Sequence, residues 1–260
     1  MWVYRTGKMY TEKAIVLYDY QKERKADHPR EFLKGYAGVV VTDGYQVYHK
    51  LANEREDLTV AGCWSHARRA FAEAVKATKE KERRSLLATE ILKKIQEIYT
   101  MDNGLRFLNN EDRMEARQKL IKPLVEAFFE WLKEIEPKLS AKTKTSDGIH
   151  YCLNQEKYLK YFLEDGAVPM DNNAAEQAIR GFCIGKKNWV MIETVNGAKA
   201  SAVLYSLVET AKANKLNPYE YFKHLLEVLP EHEADQTDDY LEELFPWSES
   251  LPAECHKQLQ

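Results

Sequence analysis

The chain has a short β-rich beginning and a long, mainly helical remainder, and this asymmetry restricts the folds open to it. β-branched and aromatic residues dominate positions 2–4 and 14–20, and the break at Gly7-Lys8 between them predicts a hairpin. The apolar run Gly38–Thr42 predicts a third strand, and its lack of alternation indicates burial on both faces, as in an α/β sheet. Three strands make a poor sheet. We therefore expect a further strand, either from another chain or from sequence upstream of Met1.

Beyond residue 60, apolar side chains recur at helical spacing with charged residues between them. A polar segment without periodicity, Lys138–Gly148, predicts a loop. No apolar stretch is long enough to predict a membrane span. Helices are predicted from Pro29 to about Gly35, over residues 64–100, 113–135, 149–163, 173–182 and 198–214, and from Asn217-Pro218 to about Leu229.

The formal net charge of −3 averages two regions of opposite sign. Residues 231–260 carry nine acidic side chains against one Lys, whereas the other 230 residues carry 37 basic and 32 acidic ones. A mildly basic body with an acidic tail does not exclude a nucleic acid as partner. The tail is expected to dock loosely, with much of it mobile. The four cysteines are scattered without a CxxC pair and no signal peptide is visible, which favours a cytoplasmic protein.

Asp43 is the first candidate for chemistry. It follows the Gly38–Thr42 strand directly and precedes Gly44. Ligands of α/β sheets bind at the carboxyl ends of strands, and glycine permits a close approach of the backbone. Asp-Gly is also a favoured turn pair, so an ordinary turn aspartate is the plainer interpretation of this feature alone.

The segment DNNAAEQAIR at residues 171–180 is the second candidate. Asp171 or Asn172 suits the N-cap of a helix, and Asn172, Glu176 and Arg180 are spaced four apart on one helix face. A capped helix with an ordinary Glu-to-Arg ion pair would give the same pattern. The next residues combine basic, polar and aromatic side chains that suit a phosphate backbone with stacking: Lys186, Lys187, Asn188 and Trp189.

The third candidate is CWSHARRAF at residues 63–71. Cys63 and His66 have the spacing of half a zinc site, but no partner pair stands out. Arg68 and Arg69 are predicted to contact phosphate, although a solvated basic helix start is the plainer alternative. The absence of G-x-S-x-G, Walker-type and G-x-G-x-x-G motifs weakens hydrolase, nucleotide-binding and Rossmann interpretations.

In combination, TDGY at residues 42–45, CWSHARRAF, and DNNAAEQAIR followed by GKKNW resemble the transposases of the insertion sequence 66 family. The motifs occur in order over essentially the whole chain. The resemblance implies a DDE-type recombinase with a ribonuclease-H-like core that performs DNA transposition. In such enzymes three carboxylates hold two divalent metal ions, normally Mg²⁺, which activate the attacking oxygen and stabilise the leaving one.

Carried over to this sequence, the resemblance makes Asp43 the second catalytic and metal-binding acid and Glu176 the third. It also places Arg180, Lys186 and Lys187 beside the site, where they face DNA phosphates. The family's first carboxylate belongs to an Asp-Glu-Thr strand that would precede Met1. Asp19 is the one acid on a nearby strand that could substitute for it. Gln177 stands where the family usually has Arg, which removes one phosphate contact.

The resemblance thus implies an α/β fold with a ribonuclease-H-like core lacking its first strand, a large helical insertion and a helical C-terminal part. Expected partners are insertion-sequence ends, target DNA, and other transposase subunits or element-encoded proteins, in the bacterial cytoplasm at the nucleoid and without a membrane. The predicted parts are residues 1–62 (β-rich core), 63–168 (helical insertion), 169–230 (helical end of the core) and 231–260 (acidic tail).

Three hypotheses follow for this chain. In the first, it is an N-terminally truncated copy of an active transposase. In the second, it is a catalytically inactive remnant that binds DNA or transposase subunits. A more distant third hypothesis is an unrelated metal-dependent nuclease on the same core.

Overall fold

The computed structural model describes the backbone of residues 1–7, 13–139, 142–189, 192–233 and 237–257, and their side chains except at positions 85 and 186–189. These residues form a mixed α/β structure with two compact units. We call Arg24–Asn173 the central unit, and Met1–Glu23 with Ala174–Gln260 the terminal unit. The four parts predicted from the sequence stay a prediction.

Strands are short and helices dominate the described residues. The strands are β1 (Trp2–Arg5), β2 (Val16–Asp19), β3 (Gly38–Thr42) and β4 (Leu58–Gly62). The helices are α1 (Asp27–Phe32), α2 (Gln46–Glu54), α3 (Trp64–Ala77), α4 (Leu87–Gly104), α5 (Asn110–Ala116), α6 (Lys122–Ile135), α7 (Lys144–Asn154), α8 (Glu156–Lys160), α9 (Asn173–Trp189), α10 (Val195–Ala213), α11 (Pro218–Val228) and α12 (Leu241–Leu244). A π-helical turn, Arg117–Ile121, joins α5 to α6, and 3₁₀ turns occupy Glu80–Ser85, Glu136–Lys138, Tyr161–Leu163, Leu229–His232 and Ala253–Cys255. Over the described ranges, no helix has both the length and the apolar character needed to cross a bilayer.

The sheet of the central unit consists of β3 and β4, which run parallel with α2 as the crossover. The predicted strand Gly38–Thr42 is confirmed with its bounds. The prediction of three strands was wrong, because β4 is a fourth, apolar strand of five residues that leads almost directly into a helix. Thr42 is paired with Gly62, so the residues that follow the two strands, Asp43 and Cys63, emerge at the same edge of the sheet.

Helices surround this sheet and form the main core. Trp64, fully buried at the start of α3, contacts the rings of Phe128, Phe129 and Phe162. Its indole N–H donates to the Leu159 carbonyl at 2.8 Å, so the one polar atom of this large side chain is satisfied. The helix predicted over residues 64–100 is interrupted, because the 3₁₀ turn Glu80–Ser85 separates α3 from α4.

The predicted loop Lys138–Gly148 was wrong from Lys144 onward, where α7 begins. Thr143 and Ser146 form a capping box: the Ser146 amide donates to the Thr143 hydroxyl at 3.1 Å, and the Thr143 amide donates to the Ser146 hydroxyl at 2.8 Å. The polar residues that suggested a loop are thus the capping residues of a helix.

In the terminal unit, β1 and β2 form an antiparallel pair, which confirms the predicted pairing. The predicted break at Gly7-Lys8 falls partly on residues 8–12, which lie outside the described residues. One side of β2 is bonded to α10, whose Thr210 and Ser206 hydroxyls accept from the Val16 and Tyr18 amides at 3.0 and 2.8 Å. Tyr18 also donates from its hydroxyl to the Ala178 carbonyl of α9 at 2.6 Å. The described residues therefore hold one two-stranded sheet in each unit, and the ribonuclease-H-like arrangement stays a prediction.

The C-terminal segment packs on α11 more closely than expected. Leu244, Leu251 and Cys255 are buried in one cluster with Tyr221, whose hydroxyl donates to the Leu244 carbonyl at 2.8 Å. The Asn217 side chain accepts from the Tyr219 amide at 3.1 Å, which confirms the predicted cap of α11. Over the described residues 237–257 three apolar side chains are buried in this cluster, although Phe245 is exposed, and the acidic side chains face solvent. The tail is therefore docked despite its charge.

Candidate catalytic and nucleic-acid-binding site

Asp43 lies directly after β3, with its side chain exposed. One carboxylate oxygen, Oδ1, accepts from the Tyr45 amide at 3.1 Å and closes an Asx turn. The other oxygen has no hydrogen-bond partner within the part of the chain that the structure describes. Gly44, with φ of +84°, allows the backbone to turn at this point. The carboxylate is therefore held in place and keeps one oxygen open to a ligand.

Helix α7 supports this turn from the side. The Tyr151 hydroxyl donates to the Asp43 carbonyl at 3.1 Å. A Cβ atom at position 44 would lie 3.5 Å from Gln155 Oε1 and 2.8 Å from that hydroxyl, which it would have to displace. The positive φ would also strain any other residue, so glycine is favoured here. Burial raises the pKa of Tyr151, and Cys63 and Asp43 raise it further, so the hydroxyl stays a donor. No sequence pattern indicates Tyr151 or Gln155, because α7 contacts the turn only in the folded chain.

Cys63 occupies the matching position after β4 and is fully buried. Its sulfur accepts from the Asn172 amide at 3.5 Å. Burial raises the pKa of the Cys63 thiol to about 11, so it is a neutral acceptor at pH 7 and not a thiolate ligand. Among the described residues there is no group of three or more His, Cys, Asp or Glu side chains that could hold a metal ion.

Asp171 lies at the same end of the central unit. Its Oδ2 accepts from the Tyr99 hydroxyl at 3.1 Å, and its Oδ1 accepts from the Asn173 amide at 3.0 Å. Of the two N-cap candidates, Asp171 is thus the one whose side chain bonds the start of α9. The helix itself extends to Trp189, beyond the predicted end near residue 182.

The remaining predicted residues are distributed over both units. Arg68 and Arg69 are exposed on α3 in the central unit. Glu176 is half-buried on α9 in the terminal unit, and Arg180 follows it one turn later, exposed. The side chains of Lys186, Lys187, Asn188 and Trp189 lie outside the described residues, although the backbone of all four belongs to α9.

Comparison with protein families gives two matches that lie in sequence order. The family described as "Transposase IS66 family" matches residues 1–200. The family described as "IS66 C-terminal element" matches residues 206–247, which include the end of α10, the whole of α11 and α12.

Curated relatives come from Sinorhizobium fredii (strain NBRC 101917 / NGR234). "Uncharacterized protein y4hP" is 30% identical over 247 residues, 91% of this chain and 44% of that protein. "Uncharacterized protein y4qI" is 30% identical over 258 residues, 95% of this chain and 46% of that protein. The chain therefore spans less than half the length of these relatives, and no solved structure matches it significantly. With a family match over residues 1–200, this chain belongs to the IS66 transposase family.

Proposed function

We propose that this chain is the part of a DDE-type transposase that carries two of its three catalytic carboxylates, Asp43 and Glu176. The reaction is phosphodiester cleavage and strand transfer at insertion-sequence ends. The observation that carries the proposal is the Asp43 carboxylate at the carboxyl end of β3, fixed by the Tyr45 amide and open at its second oxygen. Membership of the IS66 transposase family supports the assignment of DNA as substrate.

The residues around Asp43 fit a hard divalent cation. Carboxylate and amide oxygens are the donors that Mg²⁺ prefers. Besides the open Asp43 oxygen, Gln155 Oε1 and Asn172 Oδ1 are buried without a hydrogen-bond partner within the described ranges, as is typical of groups reserved for a ligand or water. Asp43 and Glu176 would hold two such ions, which supply activation of the attacking oxygen and stabilisation of the leaving one.

The chain's own residues orient these groups and bind the DNA. Tyr151 and the Asx turn hold Asp43 in one orientation, so little freedom is lost when a ligand binds. Exposed Arg68, Arg69 and Arg180 are suited to phosphate oxygens, to which a guanidinium donates two parallel hydrogen bonds. The first carboxylate, on this proposal, belongs to a segment outside these 260 residues.

Strand transfer tests the proposal. The 260-residue chain, given insertion-end DNA and Mg²⁺ or Mn²⁺, is expected to yield no transfer product, because one of three metal-binding acids is lacking. A protein extended by an in-frame upstream segment with an Asp-Glu-Thr strand is expected to yield product that depends on the metal. The readout is a gel assay of joined donor and target strands.

Each outcome of this assay decides between the hypotheses. Robust transfer by the 260-residue chain alone would show that the first acid is dispensable or is replaced by Asp19. If the extended protein binds insertion ends but never cleaves them, the inactive, DNA-binding remnant is the correct description. If neither form binds or cleaves such DNA, the proposed function is wrong.

DNA binding by the basic body should depend steeply on salt. Each phosphate contact adds roughly one unit to the slope of log affinity against log salt concentration. Lys186→Glu or Lys187→Glu is therefore expected to weaken binding and reduce this slope by about one. The measurement is fluorescence anisotropy with a labelled duplex over a range of NaCl concentrations.

The control is Lys223→Glu, on the exposed surface of α11, which makes the same change in net charge. It should leave the slope unchanged. Equal effects of the three reversals would mean that only net charge matters, and salt-independent binding would remove Lys186 and Lys187 from the DNA-facing surface.

A further inference from the structure

The segment that leads from α8 to α9 is fixed at successive points to the rest of the central unit. The buried Arg117 guanidinium donates to the Phe162, Asp165 and Val168 carbonyls at 2.8, 3.0 and 2.8 Å. Two residues further on, the Met170 carbonyl accepts from the Trp64 amide at 3.0 Å, at the start of α3. A connecting loop with this many buried bonds is held in one conformation.

Asp171 ends this segment, and both of its carboxylate oxygens are occupied. Tyr99 donates to Oδ2 and the Asn173 amide donates to Oδ1, as described above. The Tyr99 hydroxyl also lies 3.3 Å from that of Ser65, and burial together with Asp171 raises its pKa, so it remains protonated and able to donate. Asp43 differs in this respect, since one of its oxygens is open. Both aspartates accept from the amide two residues later, and they differ in whether the second carboxylate oxygen has a hydrogen-bond partner.

Asn172, the residue after Asp171, forms a second hydrogen bond just before the start of α9. The Asn172 amide donates to the neutral Cys63 sulfur at the end of β4. Helix α9 starts at Asn173, immediately after these two contacts, and Glu176 follows three residues later on the same helix. Because a helix is stiff over one turn, displacement of its first residue is passed on to Glu176.

We propose that Asp171 and Tyr99 form a positioning pair that fixes the first turn of α9, and with it the carboxylate of Glu176. Asp171 acts through the backbone of this turn and not as a ligand of the metal ions. The inference rests on the proposed catalytic role of Glu176.

Hydrogen exchange tests the pair on the 260-residue chain itself, without any activity. Asp171→Ala removes the acceptor of both the Asn173 amide and the Tyr99 hydroxyl, and Tyr99→Phe removes the half-buried hydroxyl that contacts Asp171 and Ser65. Amides of residues 172–178 are expected to exchange about fivefold faster in Tyr99→Phe and about tenfold faster in Asp171→Ala, because the first change removes one of the two hydrogen bonds to Asp171 and the second removes both. Asp171→Asn keeps an oxygen for the Asn173 amide and an amide group for the Tyr99 hydroxyl, so it should restore slow exchange.

Two matched controls separate a local effect from a general loss of stability. Asp165→Ala removes the same kind of contact, since Asp165 Oδ1 accepts from the amide two residues later at 2.7 Å, but it lies upstream of α9. Tyr221→Phe removes one buried tyrosine hydrogen bond in the C-terminal cluster. Neither should change exchange at residues 172–178. Unchanged exchange in both Asp171→Ala and Tyr99→Phe would overturn the proposal.

The extended protein distinguishes positioning from metal binding. If Asp171 only positions the helix, Asp171→Asn should retain strand transfer to within about threefold, whereas Asp171→Ala and Tyr99→Phe should lower kcat about tenfold with little change in KM for DNA. Loss of activity in Asp171→Asn with slow exchange preserved would mean that the charge itself is needed, and the proposal would be wrong. If no form transfers strands, the proposed function fails while the exchange result still decides the role of the pair.

Discussion

Arg117→Met is expected to lower the free energy of unfolding by about 3–5 kcal/mol, the usual cost of removing one partner of a buried ion pair. Arg117 is completely buried, and its guanidinium donates to both carboxylate oxygens of Asp102, at 2.7 and 3.2 Å. The same guanidinium also satisfies the three carbonyls of the segment before α9. Methionine fills a similar volume but leaves a largely buried carboxylate and these carbonyls without partners.

Urea unfolding followed by circular dichroism measures this loss. The control is Arg106→Met, at an exposed arginine between α4 and α5 whose guanidinium lies over the Phe107 ring; it should change stability by less than about 0.5 kcal/mol. The double variant Asp102→Leu/Arg117→Met should lose less than the sum of the single changes, because no unpaired buried charge remains. A loss below about 1 kcal/mol for Arg117→Met would contradict this account of the ion pair.

Asp43→Asn and Glu176→Gln are each expected to reduce strand transfer by the extended protein at least roughly a thousandfold, equivalent to several kcal/mol of transition-state stabilisation. Asparagine keeps the oxygen that accepts from the Tyr45 amide, so the turn survives while the charge that attracts a divalent cation is lost. Folding should therefore remain close to wild type. The rate of product formation with saturating Mg²⁺ and unfolding curves of the same variants separate the two effects.

Asp147→Asn provides the control for charge, because Asp147 is an exposed acid in the first turn of α7. It should retain full activity. If Asp43→Asn were as active as this control, Asp43 would be an ordinary turn aspartate, the interpretation that its sequence context left open. If only Glu176→Gln lost activity, the assignment of the second acid would have to move to another residue.

Helix α9 and strand β4 show which elements local sequence patterns can predict and which they miss. The N-cap at Asp171-Asn172 and the helix after it were predicted because capping and helical spacing are properties of neighbouring residues. β4 was missed because Leu58–Gly62 contains only two β-branched residues, whereas Gly38–Thr42 contains four, and because the helix that follows β4 has the stronger pattern. The second half of the predicted loop failed for a similar reason, since capping residues and loop residues are of the same types.

The roles of the buried Arg117 and of the supporting Tyr99 and Tyr151 could not be predicted from the sequence. Arginine is usually exposed, so nothing local indicates that Arg117 is fully buried with all three of its guanidinium nitrogens hydrogen-bonded. Tyr99 and Tyr151 contact Asp171 and Asp43 from helices 72 and 108 residues away along the chain. Contacts at such separations are made only when the core has assembled.

The sequence by itself determined the family, the strand that precedes Asp43, and the helix that carries Glu176, because motifs and periodicity are local. Only the tertiary structure decided what each aspartate does. Asp43 keeps one oxygen open, whereas both oxygens of Asp171 are engaged. The difference depends on which distant hydrogen-bond donors lie near each carboxylate in the folded chain. Local sequence patterns do not indicate which donors these are.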